Sequence, residues 1–271
     1  MKTMKKTIIL NTLDLTNCPQ AVEYLEAVGQ VVHAEPSLDA VKGVLPQASA
    51  YLASASLIVD EKFLDAAQKL RVIGSPSTGT DHLDLDAIKS RGVIVYDIAK
   101  EFDLLAKFTA TSELAFGLLL SVVRNIPLGR EKVLDGRWER EKLKGFQLAG
   151  KTIGIIGVGR LGSISAKIAN GFGMRILGFD PFKKDNELVE YVSLKELLKN
   201  SDVVFVHVHL NSDTVGLIGK SEFDLMKPTS IIVNTSRGKI IDEEALLRAL
   251  VNQKIAGAAL DVIDGEWLSR Q

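Results

Sequence analysis

Short apolar runs alternate with longer stretches of helical periodicity along the first part of the chain. The apolar runs are rich in Val and Ile and end at glycine or polar residues, which is typical of buried strands. They cover residues 7–11, 30–34, 55–60, 71–74 and 92–96. Between them, apolar residues recur at helical spacing over 20–29, 61–70 and 84–91. This alternation predicts a parallel sheet covered by helices.

The same alternation restarts after residue 151. A helical run over 160–172 follows the first of five further predicted strands, which cover 152–156, 175–179, 202–207, 230–234 and 256–261. Before this second part lies the stretch 109–124, which is apolar on nearly all sides, as expected of a buried helix. We therefore predict an α/β fold with two doubly wound parallel-sheet domains, residues 1–107 and 108–271.

Composition narrows the class of protein. The 271 residues are 46% hydrophobic, which is enough for each of two domains to bury a core. Lys and Arg number 33 against 34 for Asp and Glu, so no basic field favours nucleic acid or a membrane as a partner. Cys18 is the single cysteine, and we recognise no signal peptide and no run of about 20 apolar residues. We expect a soluble, cytoplasmic protein.

Residues 157–162 have the pattern G-x-G-x-x-G, directly after a predicted strand and at the start of a helical run. In this context Gly157 can make a tight turn, Gly159 can let a pyrophosphate approach the backbone, and Gly162 can let the helix pack on the sheet. The N–H groups at the helix start then face the phosphates. The pattern predicts a dinucleotide site, and a glycine-rich turn without a ligand is the weaker alternative.

An acidic residue ends the next predicted strand. Asp180 lies 18 residues after Gly162, close to the spacing of the acid that binds the adenosine ribose hydroxyls in such folds. Its carboxylate repels a 2′-phosphate, and Pro181 rather than an arginine follows it. NAD is therefore favoured over NADP. Lys183 and Lys184 weaken this preference, so NADPH use stays open.

Several motifs in combination resemble the D-isomer-specific 2-hydroxyacid dehydrogenases. They are L-A-G-K-T-I-G-I-I-G-V-G-R-L-G at 148–162, F-D-L-M-K-P-T-S-I-I-V-N-T-S-R-G at 223–238, I-D-E-E-A-L at 241–246, G-A-A-L-D-V at 257–262 and T-G-T-D at 78–81. The resemblance covers nearly the whole chain. It implies a flavodoxin-like substrate domain, an NAD-binding domain, an active site in the cleft between them, and a homodimer formed through the helix at 109–124. It also implies hydride transfer between NADH and a small 2-keto acid, with the 2-hydroxy acid as product.

The resemblance assigns roles to individual residues. Arg237 matches the catalytic arginine that grips the substrate carboxylate and polarises the keto group, and Glu266 matches the glutamate that orients a catalytic histidine. Backbone N–H groups of Thr78, Gly79 and Thr80 match the turn that holds the substrate carboxylate. The cofactor-binding positions of the family match Gly157, Gly159, Arg160, Leu161, Gly162, Asp180, His207, Thr235, Asp261 and Thr111.

The chain departs from the family pattern near its end. Trp267 follows Glu266 where the family has proline, and the family's Pro-His-Ile-Gly type segment, which carries the catalytic histidine, does not occur up to Gln271. We therefore expect an NAD-binding domain that lacks its C-terminal end and an enzyme of impaired activity. The alternative is an NAD(H)-binding scaffold or sensor without catalysis.

The histidines that are present offer no evident substitute. They are His33, His82, His207 and His209. His82 follows the T-G-T-D turn, and His207 matches a position on the adenosine side of the cofactor site. His207 and His209 face the same side of a predicted strand, but no third ligand accompanies them, so we predict no metal site.

Overall fold

A computed structural model describes residues 7–182 and 185–266. The chain separates into two compact units, Met1–Leu105 and Ala106–Gln271, which we call unit 1 and unit 2. Lys183, Lys184 and Trp267, which entered the predictions above, lie outside the described residues.

Unit 1 contains a five-stranded parallel sheet with helices between the strands. The strands are β1 (Ile8–Asn11), β2 (Gln30–His33), β3 (Ala50–Leu52), β4 (Val72–Ser75) and β5 (Ile94–Asp97). The helices are α1 (Pro19–Val28), α2 (Leu38–Val41), α3 (Glu61–Ala66), α4 (Leu85–Ser90) and α5 (Phe102–Leu105). The spatial order β2-β1-β3-β4-β5 is that of a flavodoxin-like sheet, which confirms the predicted class.

The third strand of unit 1 differs from the prediction. The sequence predicts a strand over 55–60, whereas the strand in the sheet is β3, which ends at Leu52. Leu57 and Val59 are buried, but they belong to a loop in which Val59 forms only an isolated bridge to Leu83. Apolar loop residues that fill a core produce the same short pattern as a strand, and this similarity explains the error.

Unit 2 contains a six-stranded parallel sheet. The strands are β6 (Thr152–Ile156), β7 (Arg175–Phe179), β8 (Glu190–Tyr191), β9 (Val203–Val206), β10 (Ile231–Asn234) and β11 (Gly257–Leu260). The helices are α6 (Ala110–Val123), α7 (Ile126–Leu134), α8 (Arg160–Gly171), α9 (Leu194–Asn200), α10 (Lys220–Phe223) and α11 (Glu243–Val251). The order β8-β7-β6-β9-β10-β11 is the 3-2-1-4-5-6 order of a dinucleotide-binding fold, which confirms the predicted second domain type.

Side-chain caps fix where several helices begin. The Asp60 carboxylate accepts a hydrogen bond from the N–H of Phe63 at 3.0 Å and starts α3. Asp242 does the same for Ala245 at 3.0 Å and starts α11. Each cap supplies an acceptor for an N–H group that has no partner inside the helix, which typically stabilises the fold by about 1 kcal/mol.

Helix α6 fills part of the core of unit 2. Its mean composition is strongly apolar, and its buried residues pack in one cluster with residues of β10 and β11. The members from these three elements are Ala115, Phe116, Leu119, Val123, Ile231, Val233 and Ala259. Helix α6 therefore packs on the sheet of unit 2, whose strands follow it in the chain.

One stretch has the length and composition of a membrane-crossing helix. Phe102–Val123 spans 22 residues with a mean hydropathy of 1.3, which corrects the expectation that no run approaches this length. The stretch consists of α5 and α6, with a turn at 106–107 between them. The buried side chains of α6 lie in the core of unit 2, and core helices pass the same test of length and composition.

Candidate functional site

Two glycines of the G-x-G-x-x-G turn are required by the packing of unit 2. Gly157 has φ of 89°, in the left-handed region, and a Cβ on it would lie 2.5 Å from the carbonyl oxygen of His207. A Cβ on Gly162 would lie 2.1 Å from the carbonyl oxygen of Gly157. Both distances are far below van der Waals contact, so these two glycines maintain the turn between β6 and α8.

Gly159 is different, because nothing crowds the position of its Cβ. Its φ of −74° is not in the left-handed region, and among the described residues no heavy atom beyond its chain neighbours and the nearby helix backbone lies within 4 Å of the position that a Cβ would occupy. Gly159 is also the N-cap of α8, whose first-turn N–H groups point out of the helix. Open space beside these donors is what an approaching pyrophosphate needs, so the turn fits a dinucleotide.

Asp180 lies against the glycine turn. One carboxylate oxygen accepts a hydrogen bond from the N–H of Val158 at 2.9 Å, and the other accepts one from the N–H of Phe182 at 2.9 Å. A cavity of about 400 Å³ opens beside it. Its lining consists of Phe179, Asp180, Pro181, Tyr191, Val192, Ser193 and Glu196. The carboxylate predicted to bind the ribose is thus held between the turn and a cavity.

Tyr191 lines this cavity, and nothing in the sequence indicated that it would lie beside Asp180. Its hydroxyl is buried and has no hydrogen-bond partner among the described residues. Burial, and then the negative charges of Asp180 and Asp185, raise the pKa of Tyr191. The side chain is therefore a neutral O–H donor close to the Asp180 carboxylate.

Replacing Asp180 with Ala is expected to weaken NADH binding about 10-fold and NADPH binding less. The ribose hydroxyls of NADH lose a charged acceptor, whereas the 2′-phosphate of NADPH loses a repulsive neighbour. NADH and NADPH titrations followed by cofactor fluorescence measure both constants. Asp185→Ala, which removes an exposed carboxylate from the same loop, is the control. An equal loss for both cofactors would contradict the specificity role of Asp180.

His207 follows β9 beside the glycine turn, but its ring is directed to helix α8. Its Nε2 lies 2.9 Å from the hydroxyl of Ser165, and its Nδ1 is buried without a partner among the described residues. Burial lowers the pKa of His207 to about 4, so the ring is neutral at neutral pH. Its match to a cofactor-binding position stays a prediction, and any such contact must come from atoms other than Nε2.

The buried ring of His207 makes stability depend on pH in a defined interval. The unfolded chain binds a proton near pH 6.5 and the folded chain only near pH 4, so stability falls as the pH drops through this interval. The loss for this group is about 3 kcal/mol when complete, and the group has no effect above the interval. His207→Gln is expected to flatten the difference in urea stability between about pH 7 and about pH 4. His209→Gln, which removes an exposed imidazole two positions further along the chain, serves as the control.

The loop that carries Arg237 follows β10 and is shaped by Asn234. The buried Asn234 side chain donates to the carbonyl oxygen of Arg237 at 2.9 Å and accepts from the N–H of Ser236 at 3.0 Å. It also accepts from the Ser236 hydroxyl at 2.6 Å. The Arg237 guanidinium donates to the Ser236 carbonyl oxygen at 2.9 Å. An asparagine at a strand end before a turn is a recognisable signal, so the role of Asn234 in this loop could have been found from the sequence.

The segment after β11 returns to the Arg237 loop. A Cβ on Gly238 would lie 2.1 Å from the backbone carbon of Ile263, so glycine is needed for this close approach. The N–H of Asp264 donates to a carboxylate oxygen of Glu243 at 2.6 Å. The structure thereby brings the segment with the half-buried Glu266 beside the loop of Arg237.

Thr235 and Asp261 lie at the same ends of β10 and β11. The N–H of Asp261 donates to the carbonyl oxygen of Asn234 at 3.0 Å. Thr235 is 7% exposed, and its hydroxyl is buried with no hydrogen-bond partner among the described residues. A buried hydroxyl without a partner is costly, and a polar group of a ligand can supply that partner. This orphaned hydroxyl, like the open space at Gly159, fits a bound cofactor.

The start of α6 is tied to the first turn of α8. The hydroxyl of Ser112 donates to the carbonyl oxygen of Leu161 at 3.0 Å, and the Arg160 guanidinium donates to the carbonyl oxygen of Phe108 at 2.7 Å. Half-buried Thr111 precedes Ser112 in this segment. Three predicted cofactor positions, Thr111, Arg160 and Leu161, therefore belong to one hydrogen-bonded region.

In unit 1, the predicted carboxylate turn follows the carboxyl end of β4. Thr78, Gly79 and Thr80 are half-buried, and the N–H of Gly79 donates to the hydroxyl of Ser77 at 3.2 Å. The carboxyl end of a parallel strand is where ligands bind in open α/β sheets. His82, two residues further along, is buried, with 3% of its surface exposed.

Two family models match the chain. The catalytic domain of the D-isomer specific 2-hydroxyacid dehydrogenases matches residues 8–103, and the NAD binding domain of the same family matches residues 116–271. The D-3-phosphoglycerate dehydrogenase of Archaeoglobus fulgidus is 36% identical over 253 residues, which are 91% of this chain and 47% of that protein. The hydroxypyruvate reductase of Thermotoga maritima is 36% identical over 229 residues, which are 84% of this chain and 73% of that protein.

A solved structure shows the same fold. The D-lactate dehydrogenase from Aquifex aeolicus, in complex with NAD and lactic acid, matches with a TM-score of 0.87 and 28% identity. The match covers 97% of this chain and 79% of that chain. The chain spans about half the length of the phosphoglycerate dehydrogenases that it matches, namely 47% of each of two archaeal proteins.

Proposed function

The chain belongs to the D-isomer-specific 2-hydroxyacid dehydrogenases, and from this premise we propose that it reduces a small 2-keto acid to the 2-hydroxy acid with NADH. Unit 2 is the NAD-binding domain of this family. The D-3-phosphoglycerate dehydrogenase, hydroxypyruvate reductase and D-lactate dehydrogenase among its relatives support a small carboxylate as substrate.

The observation that carries the proposal is a shared sheet edge in unit 2. The glycine turn follows β6, the Arg237 loop follows β10, and Asp261 follows β11. All six strands are parallel, so their carboxyl ends lie at one edge of the sheet. The glycine turn, which is proposed to bind the dinucleotide, and the loop of Arg237, which is proposed to bind the substrate, therefore lie at the sheet edge where such folds bind ligands.

Each proposed residue has a chemical task. Arg237 has a planar guanidinium that can hold a carboxylate by two parallel hydrogen bonds and polarise the neighbouring keto oxygen. When bound, NADH supplies the hydride that reduces the keto carbon. Glu266 would orient a catalytic histidine, as carboxylates do in other carboxylate–histidine pairs. In unit 1, the backbone N–H groups of Thr78 and Thr80 are proposed to donate hydrogen bonds to the substrate carboxylate, whereas the N–H of Gly79 donates to the Ser77 hydroxyl.

We propose in addition that a polypeptide of these 271 residues turns over slowly. His207 is directed to Ser165 and His82 is buried in unit 1, whereas His33 and His209 are exposed. The alternative function is an NAD(H)-binding scaffold or sensor.

We also propose a cytoplasmic homodimer. The exposed apolar residues of α6 and α7 support the dimer, namely Leu114, Ile126, Leu128, Val133 and Leu134.

The test is NADH oxidation with glyoxylate, hydroxypyruvate or pyruvate, measured above a blank without protein. We expect a rate with at least one acid, and Arg237→Ala should lower kcat/KM about 100-fold, as loss of one transition-state donor does in other enzymes. Arg248→Ala on α11, which removes a solvent-exposed ion pair with Glu244, is the matched control. NADH binding without oxidation of any of the three acids would favour the scaffold function instead.

A further inference from the structure

We propose that Asn234 is a positioning residue for Arg237, which it holds in the orientation that binds the 2-keto acid carboxylate. The inference rests on the proposed function, because it concerns the grip of Arg237 on the substrate. Asn234 ends β10 and is 1% exposed, so its side chain reaches Arg237 from inside the protein. It lies three positions before Arg237 in the chain.

The amide of Asn234 holds the main chain on both sides of Arg237. Its oxygen accepts from the N–H of Ser236 at 3.0 Å, and its nitrogen donates to the carbonyl oxygen of Arg237 at 2.9 Å. One rigid group therefore ties the Thr235–Ser236 peptide unit to the Arg237–Gly238 peptide unit. Because Ser236 and Arg237 lie between these two units, the amide restricts the stretch of main chain from which the guanidinium extends.

Only an amide satisfies both contacts. A carboxylate of the same shape keeps the acceptor for Ser236 but has no N–H for the carbonyl oxygen of Arg237. Ala keeps neither contact. The Arg237 backbone is extended, with φ −142° and ψ 143°, so no strain in its own conformation holds it in place. The side chain of Asn234 supplies this restraint together with the N–H of Ile240, which donates to the same carbonyl oxygen at 3.3 Å.

The experiment measures binding rather than turnover, so it does not depend on the rate of the enzyme. Protein saturated with NADH is titrated with oxamate, an unreactive analogue of pyruvate, and the dissociation constant is obtained by calorimetry. Asn234→Asp is expected to weaken oxamate binding about 10-fold, while the NADH constant changes by less than about threefold. Asn252→Asp is the matched control, because Asn252 also donates to a carbonyl oxygen, that of Arg248 at 2.8 Å, on an exposed helix end.

A double variant separates positioning from a general structural role. In the Arg237→Ala background, Asn234→Asp should cause no further loss of oxamate binding, because its effect passes through the arginine. The same loss in both backgrounds, or no loss in either, would overturn the proposal. Asn234→Ala is measured in the same way, without an added charge. If both Asn234 variants fail to show a thermal unfolding transition, Asn234 is a residue of the fold and the proposal is wrong.

The proposed function fails in a distinguishable manner. If Arg237→Ala leaves oxamate binding unchanged, the arginine does not bind the substrate carboxylate, whatever Asn234 does. If the unsubstituted protein binds NADH but no oxamate, both the proposed function and the role of Asn234 are rejected. Loss of oxamate binding in Arg237→Ala together with full binding in both Asn234 variants rejects only the role of Asn234.

Discussion

Gly159→Val is expected to reduce NADH affinity at least about 100-fold while leaving the protein folded. The substitution fills the open space beside Gly159, since within the described part of the chain no heavy atom beyond the chain neighbours and the nearby helix backbone lies within 4 Å of the new Cβ. The branched side chain then occupies the approach of the pyrophosphate to the N–H groups at the start of α8. Fluorescence titration gives the affinity, and thermal unfolding reports the fold.

Two glycines of the same region serve as comparisons. Gly171, in the last turn of α8, likewise meets no heavy atom of the described residues outside its own stretch of helix within 4 Å of a Cβ, so Gly171→Val should bind NADH normally. Gly162→Val should instead impair folding, because its Cβ would meet the carbonyl oxygen of Gly157 at 2.1 Å. Undiminished NADH affinity in Gly159→Val would show that the cofactor does not use this turn.

The second large effect concerns the proton donor. General acid catalysis usually contributes about 10²–10⁴-fold to a rate. The 271-residue polypeptide should therefore reduce glyoxylate or hydroxypyruvate more slowly, by a factor of that order, than a form extended by a relative's histidine-bearing segment. Electrostatic stabilisation by Arg237 needs no proton transfer and should remain in both forms. Initial rates at saturating NADH, measured side by side, provide the comparison.

Two variants refine this second expectation. His82→Ala should hardly alter the remaining rate of the 271-residue form, since His82 is buried in unit 1. Arg237→Ala should lower it further. Equal, fast rates for the extended and the unextended form would show that a residue already present acts as the acid, and the expectation of slow turnover would be wrong.

The central strands of unit 2 were predictable because β6, β9 and β10 are buried on both faces. Residues 152–156 and 175–179 were predicted at the bounds that the structure has. The prediction 230–234 begins one residue early, and the predictions 202–207 and 256–261 are one residue too long at each end. The two-residue strand β8 was not predicted. Continuous Val and Ile runs leave little ambiguity in a parallel sheet. Strand β3 escaped prediction because it has three residues, and only Tyr51 among them is fully buried.

Residues of the candidate site could be predicted only where the function requires one residue type at a fixed spacing in the sequence. The three glycines of the turn and Asp180 follow from a spacing that chemistry demands. The direction of a side chain does not follow from spacing. The hydrogen bond of His207 to Ser165, and the three bonds of Asn234 to its own loop, depend on packing between elements that are distant or on local geometry. Such contacts become visible only in three dimensions.

The position of α6 in the core of unit 2 has a consequence for synthesis on the ribosome. Helix α6 is the first helix of unit 2 to be synthesised. It packs against β10 and β11, and β11 begins only at Gly257. At about 5–20 residues per second, roughly ten seconds pass before the nascent chain has added the intervening stretch of about 130 residues. Until then Phe116 can already meet Phe172 and Phe205, but α6 lacks the cover that β11 supplies. The core of unit 2 is therefore completed only late in translation.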